Sequence, residues 1–253
     1  MKIFTIASRE LRSMFLSPLA WSILAVVQLI TAYMFLVQLD FYATLQPRLA
    51  AVSGAPGITL IVVGGLLDFS AVLLLLVVPI LTMRMIADER RSQTLSLLMS
   101  APLSMTEIVL GKYLGILGFL GIMLVMLALM PLSLLVGGNL DTGMMASGFF
   151  GLGLLLAAFA AVGLFMSSLT VQPVIAAIST LGILLLLWII DWAGSGTQGQ
   201  ATGNTLSYLS LLQHYKPMLR GAFNSSDVIY YLLFIFSFVV LTIRRLDAYR
   251  LQH

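Results

Sequence analysis

The stretch VLLLLVVPILTMRMIADERRSQTLSLLMSAPLSMTEIVLGKYLGILGFL, residues 72–120, holds two apolar runs around a polar interruption. The first run ends at Met83, and the second begins after Ser104. A transmembrane helix needs about 20 apolar residues, and both runs reach that length when extended outward along the chain. The insert between them, residues 87–102, opens with Asp88, Glu89, Arg90 and Arg91 and continues with an apolar stripe of Leu95, Leu98 and Met99. It stops at Ala101-Pro102. Two membrane spans joined by a short helix outside the bilayer is the arrangement this pattern predicts, with acids at the helix start that suit its dipole.

The rest of the chain extends the same reading. Of its 253 residues, 60% are hydrophobic and only 9% charged, with mean hydropathy +1.06; soluble domains carry about 25% charged residues. An all-α integral membrane protein is expected, one domain over residues 1–253, with no room for a large soluble part. Six spans are predicted at about 19–39, 58–83, 108–136, 145–166, 174–192 and 227–243. Residues 1–16 place Phe4, Ala7, Leu11, Met14 and Phe15 on one helical face, as an interfacial amphipathic helix does. No secretory signal peptide is read there. Ser17-Pro18 is a helix-start signal for the first span, and residues 40–57 read as a loop. Ser104 and Glu107 have capping-box spacing before the third span. Residues 206–223 carry Leu209, Leu212, Tyr215 and Leu219 at helical spacing, which predicts a short amphipathic segment on the outer membrane surface.

Charge gives the orientation. Ten of the 13 Lys and Arg residues fall in the segments on one side of a six-span chain, and Arg48, Lys216 and Arg220 on the other. The positive-inside rule then places both termini and the insert in the cytoplasm. The sequence pI near 9.3 reflects these scattered topology signals, not a nucleic-acid surface.

Chemistry of its own is hard to find in the chain. It has no cysteine, and its two histidines, His214 and His253, lie far apart without an HExxH pattern, so no metal site is expected. Gly111-Lys112 lacks the spacing and the following Ser or Thr of a phosphate loop; no cofactor should be bound by this chain, and it should not be an enzyme. An intramembrane protease or transferase would need a nucleophile with a base, or paired aspartates. Asp68 is the one acid well inside an apolar run. Either it is an intramembrane polar site facing protein or water, or the span starts later, near Phe69, and leaves it at the outer interface. Tyr208, His214, Tyr215 and Arg220 in the outer segment are candidates for a gate or a contact with an extracytoplasmic partner; the alternative is anchoring at the headgroups. Gly111, Gly115, Gly118 and Gly121 permit close helix contact and make a candidate dimer seam. The insert itself is open to two readings, a helix resting on membrane lipid or one that meets a protein.

The segment MRMIADERRSQTLSLLMSAPLSMTEIVLGKY, residues 83–113, resembles the cytoplasmic segment of ABC-2-type transporter permeases, especially the gliding-motility and copper-processing branch. The resemblance includes RELRSMFLSPLAW near the N-terminus, SSLTVQP between spans four and five, and YLSLLQHYKPMLRGAF before the last span. It implies that the insert is a coupling helix that docks into a cleft of a separate ABC ATPase subunit, with Asp88, Glu89, Arg90, Thr94, Leu95 and Leu98 in the docking role. ATP and Mg would then be held by that partner, and a second permease copy or a related permease would complete a dimer in the bacterial inner membrane. The function implied is the permease subunit of an ATP-driven exporter; the alternative is a membrane anchor that passes ATPase-driven motion to an extracytoplasmic partner. Where the family commonly has Gly-Thr-Leu-Glu, this chain has Gln93-Thr94-Leu95-Ser96. The missing glycine predicts a more regular helix there.

Overall fold

The computed structural model describes residues 2–49, 56–93, 104–136, 140–196 and 210–250. Thr94, Leu95, Leu98 and Tyr208 lie outside the described residues. Helix α1, Lys2–Leu16, is followed by α2, Pro18–Leu49, and a π-helical turn, Thr59–Gly64, leads into α3, Gly65–Thr82. The five-residue α4, Ala87–Arg91, opens the insert. Then come α5, Met105–Leu132, with a 3-10 turn, Ser133–Val136; α6, Thr142–Leu169; α7, Pro173–Gly196; the short α8, Leu211–Leu219; and α9, Ser225–Arg250. Six helical stretches are long and apolar enough to cross a membrane, and no strand occurs among the described residues. The chain is a multi-pass, all-α membrane protein.

Helix α6 is the hub. Ala158, Phe159, Ala160, Ala161, Val162, Gly163 and Leu164 are consecutive and all buried, Phe159 being 2% exposed and the alanines, Val162 and Leu164 0%. A helix buried on every side must be apolar all round, and small residues let its neighbours approach. A Cβ on Gly163 would collide with the Thr82 hydroxyl of α3, and one on Gly151 would come within 2.9 Å of Met218 of α8. On the other sides, the Tyr113 hydroxyl of α5 donates to the Ala157 carbonyl at 2.9 Å, and Phe238 of α9 meets Phe165 edge-on at 5.7 Å.

Two elements depart from expectation. Helix α2 continues to Leu49 where a loop is predicted. At about 1.5 Å per residue its 32 residues measure about 48 Å, well beyond an apolar core about 30 Å thick. Pro47 is tolerated because it falls in the last turn, where the carbonyl it leaves unpaired can be solvated. Helix α8 is amphipathic as expected, with Gln213 and Lys216 exposed, and its other face packs against protein. Leu211, Tyr215 and Met218 are essentially fully buried among α3, α6 and α9, so its amphipathic face is turned into protein. Finally, Gln93 does not continue a regular helix. It adopts φ +57°, the left-handed conformation, two residues after α4 ends. A side chain is carried here in a region that favours glycine.

Candidate functional site at the base of the insert

Helix α3 ends at Thr82, a turn follows, and α4 starts at Ala87, so backbone groups on both sides of the turn need partners. Ser167, near the end of α6, supplies them. Its hydroxyl accepts from the amides of Ile86 at 3.1 Å and Ala87 at 3.0 Å, and donates to the Met83 carbonyl at 3.0 Å. One buried hydroxyl therefore caps the insert and fixes where it leaves α3. This gives a local reason for the SSLTVQP segment, residues 167–173.

Two charged side chains of α4 turn inward. Lys112 of α5 has a side chain only 2% exposed, and its ammonium lies 2.6 Å from the Glu89 carboxylate and 3.1 Å from that of Glu10 in α1. Burying a lone ammonium is prohibitive, whereas a paired and hydrogen-bonded one is tolerated. Arg90 extends in another direction. Its guanidinium donates to the Ser168 carbonyl at 2.6 Å and stacks 4.4 Å above the ring of Tyr249 in α9, a cation-π contact. The first turn of the insert is thereby tied to α1, α5, α6 and α9. Asp88 faces outward, half exposed and 4.0 Å from Arg84, and Arg91 is exposed.

Glycines bring α1 to this node. A Cβ on Gly111 would lie 2.6 Å from Ile6, and one on Gly115 would lie 2.8 Å from Glu10. A Cβ on Gly118 would lie 3.5 Å from Leu11, and Phe15 meets Phe119 with centroids 5.4 Å apart. The two helices therefore run side by side, and the groove of Gly111, Gly115 and Gly118 is filled by the chain's own N-terminal helix. These three glycines are not a seam for a second copy. Of the four candidate glycines, Gly121 alone has open space beside it.

The outer candidates are arranged differently. The imidazole Nδ1 of His214 is 2.6 Å from the Asp227 carboxylate, and the ring stacks on Tyr230 at 4.1 Å. The Tyr215 hydroxyl donates to the Leu67 carbonyl of α3 at 3.1 Å. Burial, and secondarily the Asp68 carboxylate, hold its pKa well above that of a free tyrosine, so it stays a donor. Tyr231 donates to the Leu211 carbonyl at 2.6 Å. His214 and Tyr215 thus bind α8 to the bundle, and Arg220 remains exposed at its end. Asp68 is exposed on α3, in a helical stretch that already begins at Thr59. It lies 14 residues, about 21 Å along the axis, before the end of α3 at Thr82.

Glu10, Lys112, Ser167, Ser168 and Tyr249 complete the node, and none stands out in the sequence as a site. Lys112 reads there only as a topology charge, since its partner Glu10 is 102 positions away. RELRSMF, SSLTVQP and the GKY tripeptide nevertheless all belong to the segments that carry the family resemblance. No metal-binding cluster occurs among the described residues. No curated protein matches the chain. The family model described as ABC-2 family transporter protein matches residues 4–249, nearly the whole chain, and the chain belongs to that family.

Proposed function

We propose that this protein is the permease subunit of an ATP-driven exporter, moved by a separate ATPase that engages the insert beginning at α4 on the cytoplasmic side. Family membership supports an ABC transporter permease, with ATPase subunits and a second permease as partners. The observation that carries the coupling role is the node itself. Glu89 and Arg90 join the first turn of the insert to four other helices through Lys112, Ser168 and Tyr249. A push on the insert therefore reaches α1, α5, α6 and α9 together. In this reading Asp88, Arg91 and the apolar stripe of Leu95 and Leu98 meet the ATPase, while Glu89 and Arg90 pass the motion inward. ATP and Mg belong to the partner, and both termini are cytoplasmic in the inner membrane.

Purification of the tagged chain with an ABC ATPase from the same source tests this. Leu95→Ser with Arg91→Glu should abolish co-elution, whereas Glu89→Gln should leave binding intact and reduce the permease's effect on ATP turnover. Binding that ignores residues 87–102 would refute the assignment. The alternative of force transmission to an extracytoplasmic partner draws support from the Tyr215 link between α8 and α3, the helix that leads into the insert. It predicts coupled ATP turnover without cargo movement.

A further inference from the structure

A cavity of about 310 Å³ opens at the elbow between α1 and α2, beside the end of α3 and the first turn of α4. One part of its lining is apolar, with Leu19, Ala20, Leu81 and Met85, and it reaches the bundle surface at Ile80, which is 42% exposed. The other part is charged, with Glu10, Asp88 and Glu89 facing Arg84 and Lys112. Trp21 stands at the same elbow, exposed, its indole N–H donating to the Phe15 carbonyl at 2.8 Å. Interfacial tryptophans mark headgroup depth, so the cavity sits where acyl chains give way to polar groups.

The charges limit what can occupy it. Lys112 is already held by two carboxylates, and Arg9 reaches Glu10 from outside at 3.1 Å. With Arg9 counted, three carboxylates meet three cations, so neither a net anion nor a net cation is preferred. A zwitterion can place its phosphate toward half-exposed Arg84 and its cation toward Asp88 and Glu10. Carboxylates in a partly desolvated site also need N–H donors, which an ammonium headgroup has and a quaternary ammonium lacks. We propose that this cavity is a binding site for the headgroup of a zwitterionic aminophospholipid, of the phosphatidylethanolamine class, drawn from the leaflet on the side of the termini. The site stands on the membrane placement of the chain and does not depend on the exporter reading.

Native mass spectrometry of the full chain in detergent tests it, with phosphatidylethanolamine, phosphatidylcholine or phosphatidylglycerol of identical acyl chains added at matched ratios. One charge-assisted hydrogen bond is worth about tenfold in affinity, so the first lipid should be retained about tenfold more than either of the others. Asp88→Asn, at a half-exposed position that the fold tolerates, should remove most of that preference, whereas Arg84→Gln, which loses the phosphate contact common to all three lipids, should lower the retention of each. Arg91→Gln, outside the cavity, should not. Soluble phosphoethanolamine at the same concentration should give no adduct. Equal retention of the three lipids, a preference that survives Asp88→Asn, retention that Arg84→Gln leaves unchanged, or an equally strong adduct with the soluble headgroup would overturn the proposal.

Discussion

Replacing Lys112 by methionine keeps the length of the side chain and removes its charge. The Glu10 and Glu89 oxygens each touch the ammonium, at 3.1 and 2.6 Å, so they lie at most about 5.7 Å apart. Their side chains are only 14% and 20% exposed. At an effective dielectric constant of about 20, two unit charges at that separation repel by about 3 kcal/mol. That agrees with the roughly 3–5 kcal/mol lost when one partner of a buried pair is removed, although Arg9, 59% exposed, relieves part of it. For a chain of this size the loss corresponds to a fall in Tm of about 6–12 °C, readable from intrinsic tryptophan fluorescence in detergent. The reasoning requires a specific rescue: Lys112→Met combined with Glu10→Gln and Glu89→Gln should recover most of the stability, because a neutral cluster no longer repels itself. A single variant as stable as the wild type, or a triple variant no better than the single one, would refute the electrostatic account of the node.

Further expectations follow from neighbouring contacts. Ser167→Ala leaves two amides and a carbonyl without their partner, which costs about 1–3 kcal/mol; hydrogen exchange at Ile86 and Ala87 should quicken at least about tenfold. Gly115→Val places side-chain atoms where Glu10 and the Ala7 carbonyl already are, so limited proteolysis should release α1 while the remaining helices stay protected. Gln93→Gly relieves a left-handed backbone penalty of about 1–2 kcal/mol, partly offset by the freedom glycine gains when unfolded; a small rise in Tm is expected. Tyr215→Phe removes one buried hydrogen bond, worth about 1 kcal/mol, and should loosen α8 as seen by exchange at its amides.

Hydropathy made the six spans legible because the signal is local: each span carries its own run of apolar residues. The start of α5 was equally readable, since Ser104 and Glu107 bond each other's backbones at 3.2 and 2.9 Å within four residues. The site was less so. The glycines of α5 announce close contact without naming the occupant, and the occupant is α1, about a hundred positions earlier in the chain. The family resemblance gives Glu89 and Arg90 a docking role, and only the folded arrangement supplies their inward partners Lys112, Ser168 and Tyr249. The amphipathic pattern of α8 was correct, but the pattern alone does not distinguish a face against lipid from one against protein. At Gln93 the absent glycine suggested regular helix, while capping at the end of α4 dictated otherwise.

The enclosure of α6 bears on how the chain is assembled during synthesis. Its glycine and alanine surface has little to offer lipid, yet it leaves the ribosome before α8 and α9, which complete its surroundings. Until Ser225–Arg250 is inserted, the centre of the protein is a helix with one side still open, and Phe165 waits for Phe238. A product stopped short of α9 would thus present a smooth, unpartnered flank of α6 within the bilayer. Insertion of α9 is the step that closes the open side of α6.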